Sequence, residues 1–497
     1  MNLTRFIKNN AMKIVSSLLL TLLLISNFAI GQQTLPNAVK TFVNASGMQH
    51  ASVSIAIYDL DTKNSVASHN ANITLPTAST AKMFSTATAL EILGDDYRAQ
   101  TRLYVEGYVE DGTLIGNIWI RGGGDPSLGS KYFNSPGHEL DFMLPWIDSL
   151  KNMGIISISG GVIGDGSEFG YEGAPDGWNW VDMGNYYGAG PSGLTIYDNL
   201  VRYTFTSGST PGVVVKVKSI EPYVPGLIYH NYVESSKRSG DNAYLYGAPY
   251  AFDRFGTGTI PINKSEFLVK GSLPDPELQC AYELTELLKA NGIEVNEEPE
   301  GCRSIEVFSG QTDYDKRTLV ATHKGERLDA IVKETNHRSV NLFAEHMLNL
   351  IGYEKTGDGS TASGIKVFES HWAKKINTAG LHLNDGSGLS RSNAISAKHF
   401  CEFLIAMNSS SEKNAFRTSL PVAGKSGTMK YICRNAAGHG RIAAKSGSMT
   451  RIRSYSGYVD SKTGKKYAFA IIVNNYSGST SSLKTKIQTL MNAMAVN

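Results

Sequence analysis

A chain of 497 residues, 41% apolar and 19% charged, can bury a sizeable core, which excludes an intrinsically disordered protein. Basic and acidic residues balance to a net charge of +2 with no long run of one sign, so neither a phosphate-dominated nucleic-acid binder nor a polybasic membrane-surface protein fits. Glycine, at 50 residues, exceeds its usual ~7% share and points to many turns and strands.

Residues 1–31 carry Arg5, Lys8 and Lys13, then an apolar run from Ile14 to Ile30 that closes on Ala29-Ile30-Gly31. A basic start, an apolar stretch short for a span and a small-residue end read as a signal peptide cleaved after Gly31, so the protein is expected to be exported and periplasmic. A retained membrane anchor is the alternative. A helix is predicted over 36–46, an alternating strand over 51–57 and a helix over 79–93. From about residue 98 the pattern changes to short alternating runs between Gly, Asp and Pro, at 116–121, 161–164 and 213–217. Helices are predicted at 278–291, 328–335 and 340–351. Runs at 454–459 and 467–473 flank a polar turn as a hairpin would, and a helix over 481–494 follows. The cysteines, Cys280, Cys302, Cys401 and Cys433, form no C-x-x-C; the pairs Cys280–Cys302 and Cys401–Cys433, or buried thiols, both stay open.

Ser79-Thr80-Ala81-Lys82 matches S-x-x-K, an arrangement that sets a lysine base beside a serine nucleophile on one helix face. The pattern recurs at Ser363, Ser410 and Ser481, so alone it decides little. S-x-N occurs at Ser68-His69-Asn70 and at Ser339-Val340-Asn341, where simple N-capping by Ser339 is the competing role. Among K-[ST]-G triplets, Lys462 falls in the hairpin turn and Lys425 in a loop, whereas Lys445-Ser446-Gly447 leads a strand of the terminal sheet. The order S-x-x-K, S-x-N, K-S-G is met only with Ser79 as nucleophile, because the other S-x-x-K serines follow Ser339.

With these motifs the sequence resembles the D-alanyl-D-alanine carboxypeptidase/endopeptidase family of low-molecular-mass class C penicillin-binding proteins, the penicillin-binding protein 4 type. The likeness extends to Gly124-Asp125-Pro126-Ser127-Leu128, Gly177-Trp178-Asn179-Trp180-Val181-Asp182-Met183, Asn341-Leu342-Phe343-Ala344-Glu345, Asp385-Gly386-Ser387-Gly388-Leu389-Ser390-Arg391 and Leu420-Pro421-Val422-Ala423-Gly424. The last block places the family's K-[ST]-G about twenty residues later, at Lys445. The resemblance implies an α+β fold, a penicillin-recognising core of antiparallel sheet flanked by helices and interrupted by a large β-rich insertion. Independently, 260 residues separate Ser79 from Ser339, more than a compact core needs between two parts of one cleft. The expected division is therefore a core of 32–97 plus 319–497 with accessory residues 98–318.

On this reading Ser79 attacks the D-Ala–D-Ala peptide bond, Lys82 is the base and Ser339 relays a proton to the leaving amine. Asn341 fixes Lys82 or the substrate amide. Lys445 keeps Lys82 neutral and attracts the terminal carboxylate, which Ser446 bonds; Gly447 admits the substrate backbone. The N–H groups of Ser79 and Ser448 are the expected oxyanion hole. The family further implies a pocket for the third stem-peptide residue at Asp182, Tyr187, Arg391 and Thr450, an Asp and an Arg suiting the zwitterionic end of diaminopimelate. No cofactor or metal is implied, and His337 and His346 are read as solvated or core histidines. Peptidoglycan stem peptides are the expected substrate, with β-lactam antibiotics as inhibitors and no nucleic-acid partner; peripheral membrane association and oligomeric state stay open. A β-lactamase or esterase on the same core, or a non-catalytic cell-wall binding protein, are the competing functions.

Overall fold

The computed structural model describes residues 33–304 and 314–497, so the leader reading of residues 1–31 lies outside the described residues. Two segments far apart in sequence build the central sheet. Strands β1 (Ser52–Asp59) and β2 (Ser65–His69) join β3 (Ile442–Met449), β4 (Ile452–Asp460) and β5 (Lys466–Asn474) in the antiparallel order β3-β4-β5-β1-β2. Along β5 the side chains alternate between two apolar layers, as a strand buried on both faces requires. Phe469, Ile471 and Val473 meet α1 (Leu35–Val43) and the C-terminal helix (Thr480–Val496), whereas Ala468, Ala470 and Ile472 meet a larger helical layer. That layer contains α2 (Lys82–Leu93), α3 (Leu328–Arg338), α4 (Asn341–Thr356), α5 (Thr361–Trp372) and α6 (Ala397–Asn408), packed through Phe84, Phe343, Phe368, Trp372, Phe400 and Phe403. The core is thus helices on both faces of an antiparallel sheet, the expected α+β class.

Helix α2 is buried nearly all round, from Lys82 to Leu90. It starts later than its sequence pattern indicates: Ala78–Ala81 form a 3-10 turn, and the α-helix opens at Lys82. Ala78, at φ +47°, turns the chain into that segment, a left-handed conformation that alanine rarely adopts.

Between α2 and α3 the chain leaves the core and forms sheets of seven, four and three strands that share one apolar cluster, from Leu103 through Tyr203 to Leu288. Helix Pro276–Ala290 belongs to this cluster, its start capped by Asp275, whose carboxylate accepts from the N–H groups of Glu277 and Leu278. The strand Thr318–Lys324, whose residues 319–324 are assigned to the core from sequence, instead pairs as a whole with Gln100–Glu110 in the accessory sheet. The apolar run 213–217 is also not one strand. Val215 N–H bonds the Val233 carbonyl, whereas Lys216–Glu221 pairs with Leu200–Ser207, so the chain changes partner mid-run and leaves Val213 and Val214 exposed.

Neither anticipated cysteine bridge forms. Cys280, Cys401 and Cys433 are thiols buried in three different apolar clusters, where each behaves as a small hydrophobe. Adding reductant should therefore leave the thermal midpoint unchanged in calorimetry; a fall of several degrees would reveal a bridge.

Candidate active site

The 3-10 turn that carries Ser79 is pressed against the sheet. Thr80 Oγ1 donates to the Thr77 carbonyl at 2.9 Å and meets Ser454 Oγ of β4 at 3.0 Å. Gly447 of β3 lies so close that a Cβ there would stand 2.3 Å from the Thr77 carbonyl oxygen, which is why glycine follows Ser446. Ser79 is half-buried near the start of this turn, and Lys82, one turn on, is fully buried.

Lys82 Nζ lies 3.0 Å from Ser79 Oγ, 2.6 Å from Asn341 Oδ1 and 2.7 Å from the Ser387 carbonyl oxygen. Burial pushes the Lys82 ammonium down to about 7, while the carboxylates of Asp385 and Glu345 work in the opposite sense. Lys445, equally buried on β3, donates to Ser339 Oγ at 2.8 Å. Its pKa is held well below the usual lysine value, first by burial and then by the charge of Lys82. Burial, more than the charge of Lys445, is thus what brings Lys82 toward neutrality.

Ser339 does not cap α4. It stands at φ +63°, in the left-handed region between α3 and α4, and its hydroxyl is turned to Lys445. Val340 takes the N-cap position without a side-chain bond. Asn341 opens α4, and its Nδ2 donates to the Tyr187 carbonyl at 2.6 Å, which ties the accessory region to the partner of Lys82.

A cavity of about 370 Å³ opens onto these groups. Ser79, Ser339, Asn341 and Ser448 line it, as do Asp182, Tyr187, Arg391 and Thr450, so the sequence-predicted residues from five separate stretches share one cleft. Asp182 is buried and Tyr187 hydrogen-bonds it; that contact and burial together raise the phenol's pKa, burial more. Arg391 and Thr450 are exposed on the far wall. Ser446, half-buried, donates its Oγ–H to Thr428 Oγ1 at 2.9 Å at the solvent-exposed edge of β3.

β3 is the outer strand of its sheet, and only its first half is covered, by a bridge from Val422 to Ala443. From Lys445 to Met449 no further strand of the described residues pairs with this outer edge, and the Ser446 carbonyl there accepts from Lys445 Nζ at 2.9 Å. The rival triplets have other roles. The segment after Lys425 supplies Thr428 to Ser446, and Thr463 Oγ1 donates to the Asn497 carbonyl in the hairpin turn. A further triplet, Lys355-Thr356-Gly357, ends α4, where Thr356 Oγ1 donates to the Gly352 carbonyl. His346 is buried with both ring nitrogens engaged, by Thr195 Oγ1 and the Gly124 carbonyl, and burial lowers its pKa to about 4. Sequence reasoning passed over Arg338, Tyr186 and Leu389, which also line the cleft, and the Ser387 carbonyl beneath it.

Residues 35–496 match the model of the D-Ala-D-Ala carboxypeptidase 3 (S13) family. The chain belongs to the peptidase S13 family. It is a serine-type carboxypeptidase, a hydrolase. Over 438 residues it is 27% identical to a D-alanyl-D-alanine carboxypeptidase of Actinomadura sp. (strain R39), spanning 85% of this chain and 78% of that one. It is 24% identical over 433 residues to D-alanyl-D-alanine carboxypeptidase DacB of Haemophilus influenzae, 85% of each chain. The crystal structure of penicillin binding protein 4 from Haemophilus influenzae superposes with a TM-score of 0.78 at 21% identity, over 92% of this chain and 99% of that one. The S13 fold and the penicillin-recognising core are thereby shared.

Proposed function

We propose that this S13 carboxypeptidase works through an acyl-enzyme on Ser79, in a protein exported to the periplasm, with peptidoglycan stem peptides as substrate. The observation that carries it is the buried Lys82 Nζ lying 3.0 Å from a serine hydroxyl that lines an open cleft. Neutral Lys82 takes the Ser79 proton as Oγ attacks the D-Ala–D-Ala carbonyl carbon. The N–H groups of Ser79 and Ser448 receive the developing oxyanion, a donor whose loss costs about 10²–10³-fold elsewhere. As the C–N bond breaks, Ser339 hands its proton to the departing amine and is reprotonated by the Lys82 ammonium, so that D-alanine leaves and Lys82 is neutral again. Water then attacks the ester with Lys82 again as base, restoring Ser79. Lys445 and Ser446 hold the terminal carboxylate, and the substrate backbone pairs with the open edge of β3, where Gly447 serves the close approach of the Thr77 carbonyl rather than that of the substrate.

Cross-linked peptides end in the same bond type, so the cleft also suits D-Ala-diaminopimelate endopeptidase cleavage. β-Lactams present a strained amide to the same serine and would acylate it. Export rests on the leader pattern of residues 1–31. Among the described residues no helix is long and apolar enough to cross a membrane.

Incubating purified protein with muropeptide monomers and dimers, with mass spectrometry of the products, tests this reading. Loss of one D-alanine from pentapeptides, with or without conversion of dimers to monomers, is expected; unchanged substrates would overturn it. Asp182 and Arg391 should set the preference at the third stem residue. Asp182→Asn or Arg391→Ala should raise KM for a diaminopimelate peptide about tenfold, the worth of one charge-assisted hydrogen bond. Penicillin acylation should stay near wild type; an equal loss for both ligands would remove the pocket from the account.

A further inference from the structure

The fully buried carboxylate of Glu345 lies one helical turn beyond Asn341, on the same face of α4, and the mechanism above leaves it without a task. Its two oxygens are both occupied: Oε2 accepts from Gly386 N–H at 2.7 Å and Oε1 from Ser387 N–H at 2.8 Å. Asp385, also buried, accepts from Gly388 N–H at 2.8 Å and Ser390 N–H at 2.6 Å. Trp178, reaching in from the accessory region, donates its indole N–H to Asp385 Oδ2 at 2.9 Å. These bonds fix residues 386–390 by their backbone, and the Ser387 carbonyl of this segment accepts from Lys82 Nζ at 2.7 Å.

The geometry points to Glu345 as a positioning residue for Lys82: by gripping Gly386 and Ser387 it sets the Ser387 carbonyl so that the Lys82 lone pair is left facing Ser79. This rests on the reading of Lys82 as the base. An ammonium has three N–H groups and a neutral amine two. The carbonyl oxygens of Asn341 and Ser387, at 2.6 and 2.7 Å, only accept, so they claim the two N–H groups of the neutral amine. The third direction, 3.0 Å from Ser79 Oγ, is then the lone pair, aimed at the only partner with a proton to give. Helix α4 therefore controls both N–H groups, one directly through Asn341 and one through Glu345 and the loop. Were the Ser387 carbonyl to swing away, the amine could rotate and spend an N–H on Ser79 instead.

Glu345→Gln tests this, because an amide in place of the carboxylate turns one acceptor into a donor facing an N–H. Acylation by fluorescent penicillin should slow by about tenfold to a hundredfold, the scale of a small misplacement of a reacting group. The acidic limb of its pH–rate profile should move to lower pH. The groups facing Lys82 are Glu345 from α4, Asp385 from the loop and Lys445 from β3. Burial and then the Asp385 charge raise the pKa of Glu345 itself to about 8; wherever Glu345 is ionised, removing its charge removes one of the two that favour the Lys82 ammonium. Glu345→Asp should recover part of the rate. A purely structural role would lower the thermal midpoint yet leave rate and profile of the folded protein unmoved, and that result overturns the proposal. Should Glu345→Gln not fold, Trp178→Phe, which removes the indole N–H from Asp385 together with part of the ring volume, decides: slower acylation at an unchanged thermal midpoint supports the brace, and the wild-type rate overturns it. Wild-type acylation in Lys82→Met would instead overturn the reading of Lys82 as base.

Discussion

Replacing Ser79 by alanine should abolish D-alanine release from stem peptides and covalent labelling by penicillin, a fall of roughly 10⁴-fold or more. The cleft offers a second hydroxyl, Ser339, but its oxygen already accepts from Lys445 at 2.8 Å, and Lys82 makes its hydroxyl contact with Ser79. Of the two serines that stand beside a buried lysine in this cleft, Ser79 is the one whose lysine is also held by the carbonyl oxygens of Asn341 and Ser387, which leaves the amine lone pair for the hydroxyl. Thermal stability should change little, since Ser79 is half-buried and its own contact is to a side chain that keeps two carbonyl partners. Labelling that persists in Ser79→Ala would mean that another serine is the nucleophile.

Replacing Lys82 by methionine, which keeps the volume, should slow acylation by roughly 10²–10⁴-fold, the usual worth of a general base. Stability should move the other way or stay level, because an amine held in a fully buried site is costly and an apolar side chain is not. In the wild type the sign of the pH effect follows from burial. Lys82 must be neutral to act, and its pKa is lowered to about 7. The acylation rate should therefore climb as pH rises through about 7 and level off above, read by stopped-flow with a chromogenic β-lactam. A rate that falls over the same interval, or Lys82→Met acylating normally, would exclude the lysine as base.

What the residues revealed on their own follows the reach of local geometry. Ser79 and Lys82 are three apart, so a helical turn alone puts them together, and the order of the three motifs singled them out from the other S-x-x-K matches. Ser339 was ambiguous, because a serine before a helix ordinarily caps it; only its positive φ and the lysine opposite show that it does not. The alternation of 467–473 showed a strand but not that both faces are buried, which depends on helices at opposite ends of the chain. The partners that were missed act through the backbone or across long separations. A carbonyl such as that of Ser387 has no side-chain signature, and Thr428 reaches Ser446 only because the loop carrying the decoy triplet folds beside β3. The 3-10 turn at Ala78–Ala81 was hidden too, since good helix formers there gave no hint of the left-handed Ala78.

Peptide mapping of the protein after a short exposure to penicillin tests the acyl-enzyme most directly. The account predicts one penicilloyl group, on the peptide that contains Ser79 and on that hydroxyl. An adduct on Ser339 or any other side chain, or an intact protein that carries none, would contradict it.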